Sequence, residues 1–135
     1  MEYAQSLPCT KRSLLKLSAK VFDPIVLVTP FTINMKILFQ TLCTEDVKWD
    51  DDLEGEALSR WEKLVNELHA VQDVRMPQCY FQCIDQLPRR HQLHGFCVAS
   101  DLALAATVHL QTEHSNGTVN ANLVTLKSRV APIKK

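Results

Sequence analysis

Glycine is scarce in this sequence, with three residues among 135, and proline is limited to six. A collagen-like or low-complexity chain would contain many more of both. Aromatic residues make up 7% of the chain, apolar residues 46% and charged residues 22%. The last two values are typical of a globular protein, and a chain of this length corresponds to one domain or to two subdomains that share a core.

The sequence also lacks a readable secretory signal and an uninterrupted apolar run. Residues 1–6 contain neither a basic segment nor an apolar one. The most apolar stretch, residues 22–39, is interrupted by prolines and polar residues, so it cannot supply a span of about 20 apolar residues. Five cysteines are an odd number, which argues against a fully paired extracellular disulfide framework. We therefore expect an intracellular protein without a membrane partner, in either cytoplasm or nucleus.

The net charge is zero, but the charges are unevenly distributed. Residues 1–75 carry nine basic and twelve acidic side chains, whereas residues 76–135 carry six basic and three acidic ones. An excess of positive charge at one end can indicate contact with nucleic acid. The alternative is an ordinary solvated surface. The candidate nucleic-acid-binding residues are Arg89, Arg90, Lys127 and Arg129.

Apolar residues spaced by three and four positions predict two helices before residue 44. The first covers residues 10–22 and ends at Asp23, because the following proline disfavours the helical conformation at this position. The second opens at Thr29 as the N-cap, with proline at its first helical position, and runs to about Cys43.

The third predicted helix, residues 53–71, has the most regular apolar spacing in the chain. Three aspartates, residues 50–52, precede it. Acidic side chains are favoured at the positive end of a helix dipole, so we expect this run to stabilise the start of the helix.

From Pro77 onward, β-forming residues replace the helical spacing. Short strands are predicted over residues 79–84, 93–98, 102–110 and 123–130. The pair Asn116-Gly117 between the last two is a strong hairpin signal. The predicted fold class is α+β, with N-terminal helices packed on a three-stranded antiparallel meander.

Several short stretches resemble one family, the Bel/Pao-type LTR retrotransposon polyproteins. The stretches TKRSLL (residues 10–15), FDPI (22–25) and LVTP (27–30) resemble the segment after the reverse transcriptase core. HGFC followed by AS (residues 94–100) and KSRVAPIK (127–134) resemble the start of the ribonuclease H-like domain. The stretches occur in the family's order and spacing, and the resemblance covers residues 10–135.

The resemblance implies three parts: a tail over residues 1–9, a helical connection after the reverse transcriptase over 10–75, and the truncated N-terminal part of a ribonuclease H-like domain over 76–135. The family has reverse transcriptase, ribonuclease H and protease activities, and its ribonuclease H site uses Mg²⁺. Its polymerase aspartates lie upstream of the matched segment. Its remaining ribonuclease H carboxylates follow Lys135, so we expect neither set in this chain.

Position 98 departs from the family. There the strand ends Gly-Phe-x-Asp-Ala-Ser, and the aspartate is the first carboxylate of a two-metal site; here Val98 replaces it. Two-metal hydrolysis needs carboxylates that converge on cations about 3.5–4 Å apart. Asp101 has the opposite strand parity and is expected in a turn. We therefore expect no enzymatic activity, no catalytic residue and no cofactor.

The leading interpretation is thus a catalytically inactive fragment of a retrotransposon polyprotein. Two alternatives stay open. One is a module that has been repurposed to bind nucleic acid, such as an RNA–DNA hybrid, or a protein partner. The other is a truncated gene model of a larger polyprotein.

A zinc site is a weak alternative reading of five residues between positions 79 and 97. Zinc prefers four tetrahedral Cys or His ligands, often from Cys-x₂₋₄-Cys knuckles, and the spacing of Cys79 and Cys83 fits such a knuckle. The remaining three, His91, His94 and Cys97, match no knuckle, so we expect no metal.

The first strand of the ribonuclease H-like part, residues 93–98, is expected to lie unpaired at the edge of the sheet. An unpaired strand edge is a template for pairing with another chain. We therefore expect self-association through this edge, in addition to weak binding of nucleic acid.

Overall fold

The computed structural model describes residues 6–21, 23, 27–75 and 87–133. Three helices precede three strands, and the strands form an antiparallel sheet in the order β1-β2-β3. The elements are α1 (Lys11–Lys20), α2 (Thr29–Thr44), α3 (Gly55–Gln72), β1 (Pro88–Ala99), β2 (Ala103–His114) and β3 (Val119–Val130). This confirms the α+β class with helices followed by a meander; the strand predicted at 79–84 lies outside the described residues.

The starts of α1 and α2 have different caps. Thr10 is the N-cap of α1, and its hydroxyl accepts a hydrogen bond from the Ser13 N–H at 3.2 Å. Helix α2 begins at Thr29 itself, so Val28 and not Thr29 is the N-cap. The Asp23 carboxylate accepts hydrogen bonds from the N–H groups of Leu27 and Val28 at 2.7 and 2.8 Å. This carboxylate stabilises the turn before α2, which explains why the helix begins without a side-chain cap.

The N-cap of α3 is Glu54 and not a residue of the acidic run, residues 50–52, whose effect on the helix dipole stays a prediction. Helix α3 begins at Gly55, and its N-cap Glu54 makes no capping side-chain hydrogen bond. Asp50 instead accepts two hydrogen bonds from Arg12, at 2.6 and 2.9 Å. Asp52 forms an isolated antiparallel bridge with Thr10. The run therefore joins the loop before α3 to the start of α1.

A second cation contact strengthens the same junction. Lys11 is almost fully buried, and its Nζ donates a hydrogen bond to the Val47 carbonyl at 3.0 Å. The same Nζ lies 5.1 Å from the centre of the Trp49 ring. A cation over an indole face is attracted by the ring quadrupole, so this arrangement offsets part of the cost of burying the lysine.

The buried apolar core lies among the helices. In the described part of the chain, all apolar residues classed as buried come from α1, α2, α3 or the loop before α3, as the spacing predicts for most of them. The largest fully buried side chains among them are Leu14, Met35, Leu38 and Leu42. The sheet contacts this helical layer mainly through α2 and β3, and Gln40 donates a hydrogen bond to the Ala131 carbonyl at 2.8 Å.

Each strand is longer than predicted, with twelve residues. Arg89 is an extra residue between the pairs Pro88–His114 and Arg90–Glu113. A second irregularity lies in β3, opposite the step from Val108 to His109. The Asn116-Gly117 hairpin is confirmed, because Gly117 has φ +84° and the Asn116 side chain accepts from the Thr118 N–H.

Strand β1 is the most exposed part of the sheet. Leu93, Phe96 and Val98 are 70%, 61% and 69% exposed. In the described part of the chain, no strand pairs with the outer edge of β1. Among the described helices, none is both long and apolar enough to cross a membrane.

Candidate functional site

Val98 occupies the position where the resemblance expects the first metal-binding carboxylate. It lies near the end of β1, opposite Ala105 of β2. Residues directly opposite in an antiparallel pair share one face of the sheet, so Val98 lies on the same face as Ala105. Its isopropyl group has no oxygen and cannot bind a cation.

The acidic side chains of the sheet region do not compensate for Val98. Asp101 lies in the β1–β2 turn, as predicted. In this turn the Ser100 hydroxyl accepts hydrogen bonds from the N–H groups of Leu102 and Ala103. Glu113 lies in β2, eight positions after Ala105, the residue opposite Val98. This places Glu113 about 27 Å from Val98 along the strand direction. Asp85 lies outside the described residues. The acidic residues that the structure places here therefore do not fit a two-metal site.

The described members of the zinc alternative do not converge. His91 and His94 are three residues apart in β1, so they lie on opposite faces of the sheet. His91 and Cys97 share a face but are separated by about 20 Å along the strand. Within the part of the chain that the structure describes, no group of three Cys, His, Asp or Glu residues has a geometry that could hold a metal ion. Cys79 and Cys83 lie outside it.

The histidines of the sheet take part in local contacts instead. His91 Nδ1 lies 3.1 Å from the Thr112 hydroxyl, and His114 Nε2 lies 3.2 Å from the Asn120 amide nitrogen. The His109 ring packs edge-on against Phe96, with 5.7 Å between ring centres. Thr112 and His114, at the end of β2, are the most buried side chains of the sheet. The contacts of His91 and His114 with their neighbours therefore contribute to packing at this end of the sheet.

The four predicted basic residues form two separate pairs. Arg89 and Arg90 lie at the start of β1, and Arg89 forms an ion pair with Glu113 at 3.9 Å. Lys127 and Arg129 lie on β3 opposite Ala106 and Leu104, near the other end of the sheet. The two pairs are about 30 Å apart along the strands. They therefore do not form one continuous basic surface.

Lys127 shares the lining of a cavity with a lysine that the sequence analysis did not include. It lines a cavity of about 500 Å³ between α2 and β3, together with Lys36 of α2. No local pattern connects these two lysines, because they belong to different elements that meet only in the folded chain. The nucleic-acid-binding role of Arg89, Arg90, Lys127 and Arg129 stays a prediction.

Among the described residues, the groups with a shifted pKa are Arg12 and Asp50 at the α1 junction, away from these positions. Hydrogen bonding from Arg12 lowers the pKa of Asp50, and the Asp50 carboxylate raises the pKa of Arg12 in return. Both side chains are largely exposed. The shifts therefore describe a surface ion pair and not a catalytic acid or base.

The three helices followed by a three-stranded antiparallel meander form an α+β fold that is consistent with a truncated ribonuclease H-like domain. The family model described as "Pao retrotransposon-like RNaseH-like domain" matches residues 10–135. This chain belongs to that family, which confirms the resemblance. No curated protein and no solved structure matches the chain. The division at residue 75 stays a prediction, since the match runs across helices and sheet together.

Proposed function

We propose that this chain is a catalytically inactive ribonuclease H-like domain of a Pao-type retrotransposon polyprotein. The observation that carries the proposal is Val98, an apolar side chain on β1 at the position where the resemblance implies the first metal-binding carboxylate. A two-metal site requires several converging carboxylates. The positions of Asp101 and Glu113 support the proposal, because neither lies where it would replace the missing ligand.

The proposal includes the absence of a cofactor and of enzymatic activity. The family's Mg²⁺ chemistry requires ligand oxygens that the described sheet does not bring together. We also infer that the protein acts inside the cell, as part of a longer polyprotein. Whether the flanking reading frame encodes a reverse transcriptase would test that last inference; an unrelated or closed frame would contradict it.

A hydrolysis assay tests the inactivity directly. The purified chain is incubated with an RNA–DNA hybrid labelled on its RNA strand, with Mg²⁺ or Mn²⁺, and with chelator in a parallel sample. We expect no cleavage above a mock purification, and we expect Val98→Asp to restore none, because one carboxylate does not complete the site. Cleavage by the original chain that stops with chelator would overturn the proposal.

A second candidate function is binding of nucleic acid without cleavage. Lys127 and Arg129 are both exposed and lie two residues apart on β3, so they share one face of the sheet. Contacts of this kind neutralise phosphates, and their affinity falls steeply with salt. Salt-dependent binding of an RNA–DNA hybrid, weakened by Lys127→Ala with Arg129→Ala, would support this function. Arg89→Ala with Arg90→Ala provides the comparison, since Arg89 already contacts Glu113.

A further inference from the structure

Strand β1 carries charges of opposite sign at its two ends. Arg89 and Arg90 lie at its start, and Asp101 follows its last residue in the turn to β2. All three residues are exposed. Glu113 of β2 forms the ion pair with Arg89 and lies opposite Arg90, which leaves a net charge of +1 at this end. The strand is therefore basic where it begins and acidic just after it ends.

The middle of β1 lacks the features that usually prevent a sheet edge from pairing. Charged side chains, prolines and bulges protect the edges of natural sheets. Residues 91–99 contain no Asp, Glu, Lys, Arg or Pro, and the register irregularity of this strand lies before them, at Arg89. Gly95, near the centre, has open space around the position of an added Cβ. The central part of the outer edge can therefore accept another strand.

The charges select both the orientation and the identity of that strand. A parallel second copy of β1 would place the two basic ends side by side, which like charges disfavour. An antiparallel copy places the arginines of each chain beside Asp101 of the other. Because a two-fold axis relates the copies, this contact occurs twice. A second copy of this chain is thus complementary to β1 at both of its ends.

We propose that two copies of this chain pair through β1 in antiparallel orientation, about a two-fold axis at Gly95, and form one six-stranded sheet from two three-stranded ones. Residues directly opposite in an antiparallel pair share a face. In a symmetric pair, the numbers of opposite residues therefore add up to an even constant, and the axis passes through a residue. An axis at Gly95 places Arg89 opposite Asp101 of the second copy, and Leu93 opposite Cys97.

The neighbouring axes fit the charges less well. An axis at residue 94 places Arg90 opposite Val98 of the second copy, and an axis at residue 96 places Asp101 opposite His91 instead of an arginine. The axis at Gly95 also brings two residues without side chains together at the centre of the interface.

A cross-linking experiment tests this register in the full chain. Under mild oxidation, Leu93→Cys should form a disulfide with Cys97 of the second copy, because directly opposite Cα atoms lie about 4.5–5.5 Å apart. Positions 93 and 97 of one chain are about 13 Å apart along the strand, so this disulfide cannot form within one chain. His91→Cys is the matched control, since it lies on the same strand and face but opposite Ala99. Non-reducing electrophoresis detects the dimer, and mass spectrometry of its peptides identifies the linked cysteines.

Charge reversal tests the contact between the strand ends. Arg90→Glu and Asp101→Arg should each weaken dimerisation about tenfold, because each places like charges together at both ends. The variant that carries both substitutions should recover the dimerisation constant of the original chain. Arg129→Glu, which makes the same charge change on β3, should have little effect. Sedimentation at several concentrations measures all four variants.

A disulfide from position 93 to Cys97 that exceeds the one from position 91, together with recovery in the double reversal, would support the proposal. A chain that remains monomeric, equal cross-linking from positions 91 and 93, or single reversals without effect would overturn it. None of these outcomes depends on nuclease activity, so the hydrolysis assay and this test fail independently.

Discussion

Arg12 and Asp50 form a bidentate ion pair, with Nε–Oδ1 and Nη2–Oδ2 distances of 2.6 and 2.9 Å, although 38 positions separate them in the sequence. The Arg12 backbone N–H also donates to the Trp49 carbonyl at 3.0 Å. These contacts attach the first turn of α1 to the loop that leads into α3. The position of the acidic loop is therefore determined by α1 and not by the helix it precedes.

This ion pair predicts a specific dependence of stability on pH. Hydrogen bonding from Arg12 holds the pKa of Asp50 below its ordinary value in the folded chain. A carboxyl group with a lowered folded-state pKa stabilises the fold above its unfolded pKa and loses that contribution as the pH falls through the folded value. Asp50→Asn should therefore lower the melting temperature at pH 7, and the difference should begin to shrink near the ordinary aspartate pKa of about 4 and vanish only once the pH has fallen below the lowered pKa of the folded chain.

The neighbouring Asp51→Asn is the matched control for this measurement, because it removes the same charge one residue away and leaves both Arg12–Asp50 hydrogen bonds in place. Thermal unfolding of both variants at pH 7 and pH 3 gives the comparison. High salt should also reduce the effect of Asp50→Asn, since both partners are exposed. An effect that persists unchanged at pH 3 would show that the carboxylate charge is not its cause.

The location of the core predicts a contrast between helix and sheet substitutions. Leu14 is fully buried against the other helices, whereas Leu93 of β1 is 70% exposed. Leu14→Ala should lower the free energy of unfolding by about 2–5 kcal/mol, and Leu93→Ala by no more than about 0.5 kcal/mol. Urea denaturation followed by circular dichroism measures both. Equal costs would mean that the sheet carries a core of its own.

The sequence predicts this core well because the signal is local. Leu38, Leu42 and Trp61 are identified by spacing along single helices, and all three are buried. The Asn116-Gly117 turn is equally local, since the left-handed conformation is a property of the residues in the turn. Features of this kind depend on neighbours within about one or two helical turns.

The features that the sequence did not predict depend on distant partners. The start of β1, at Pro88, lacks any alternation of apolar and polar residues, and pairing with β2 extends the strand through it. The residues around Asp50 do not indicate whether its carboxylate caps the following helix or forms an ion pair with Arg12. The cavity lined by both Lys36 and Lys127 likewise results from the packing of α2 on β3. The separation of Arg89 and Arg90 from Lys127 and Arg129 is visible only in the sheet register.

The exposed edge of β1 predicts self-association of the isolated chain. Phe96 is 61% exposed on this strand, and an uncovered edge offers unpaired backbone groups to a second copy. We expect sedimentation to show association that increases with concentration, and we expect Phe96→Lys to reduce it, because lysine on an edge disfavours pairing.

The control for this experiment is Ile133→Lys, which places the same charge on an exposed apolar residue outside the strands. It should leave the association unchanged. A chain that stays monomeric at all concentrations, or that responds equally to both substitutions, would contradict pairing through β1.

Two glycines of the sheet, Gly117 in the β2–β3 turn and Gly95 in β1, should respond differently to substitution by alanine. Gly117 has φ +84° in the turn, a conformation that a side chain rarely adopts, although no atom lies within 4 Å of the position of an added Cβ. Gly117→Ala should therefore destabilise the fold through the backbone alone, by about 1–2 kcal/mol. Gly95 in β1 also has open space around it but no positive φ, and a glycine within a strand weakens it. Gly95→Ala should thus leave the free energy of unfolding unchanged or raise it, and urea denaturation of both variants measures the difference. If Gly95→Ala destabilised the fold as much as Gly117→Ala, the turn conformation would not be what requires glycine.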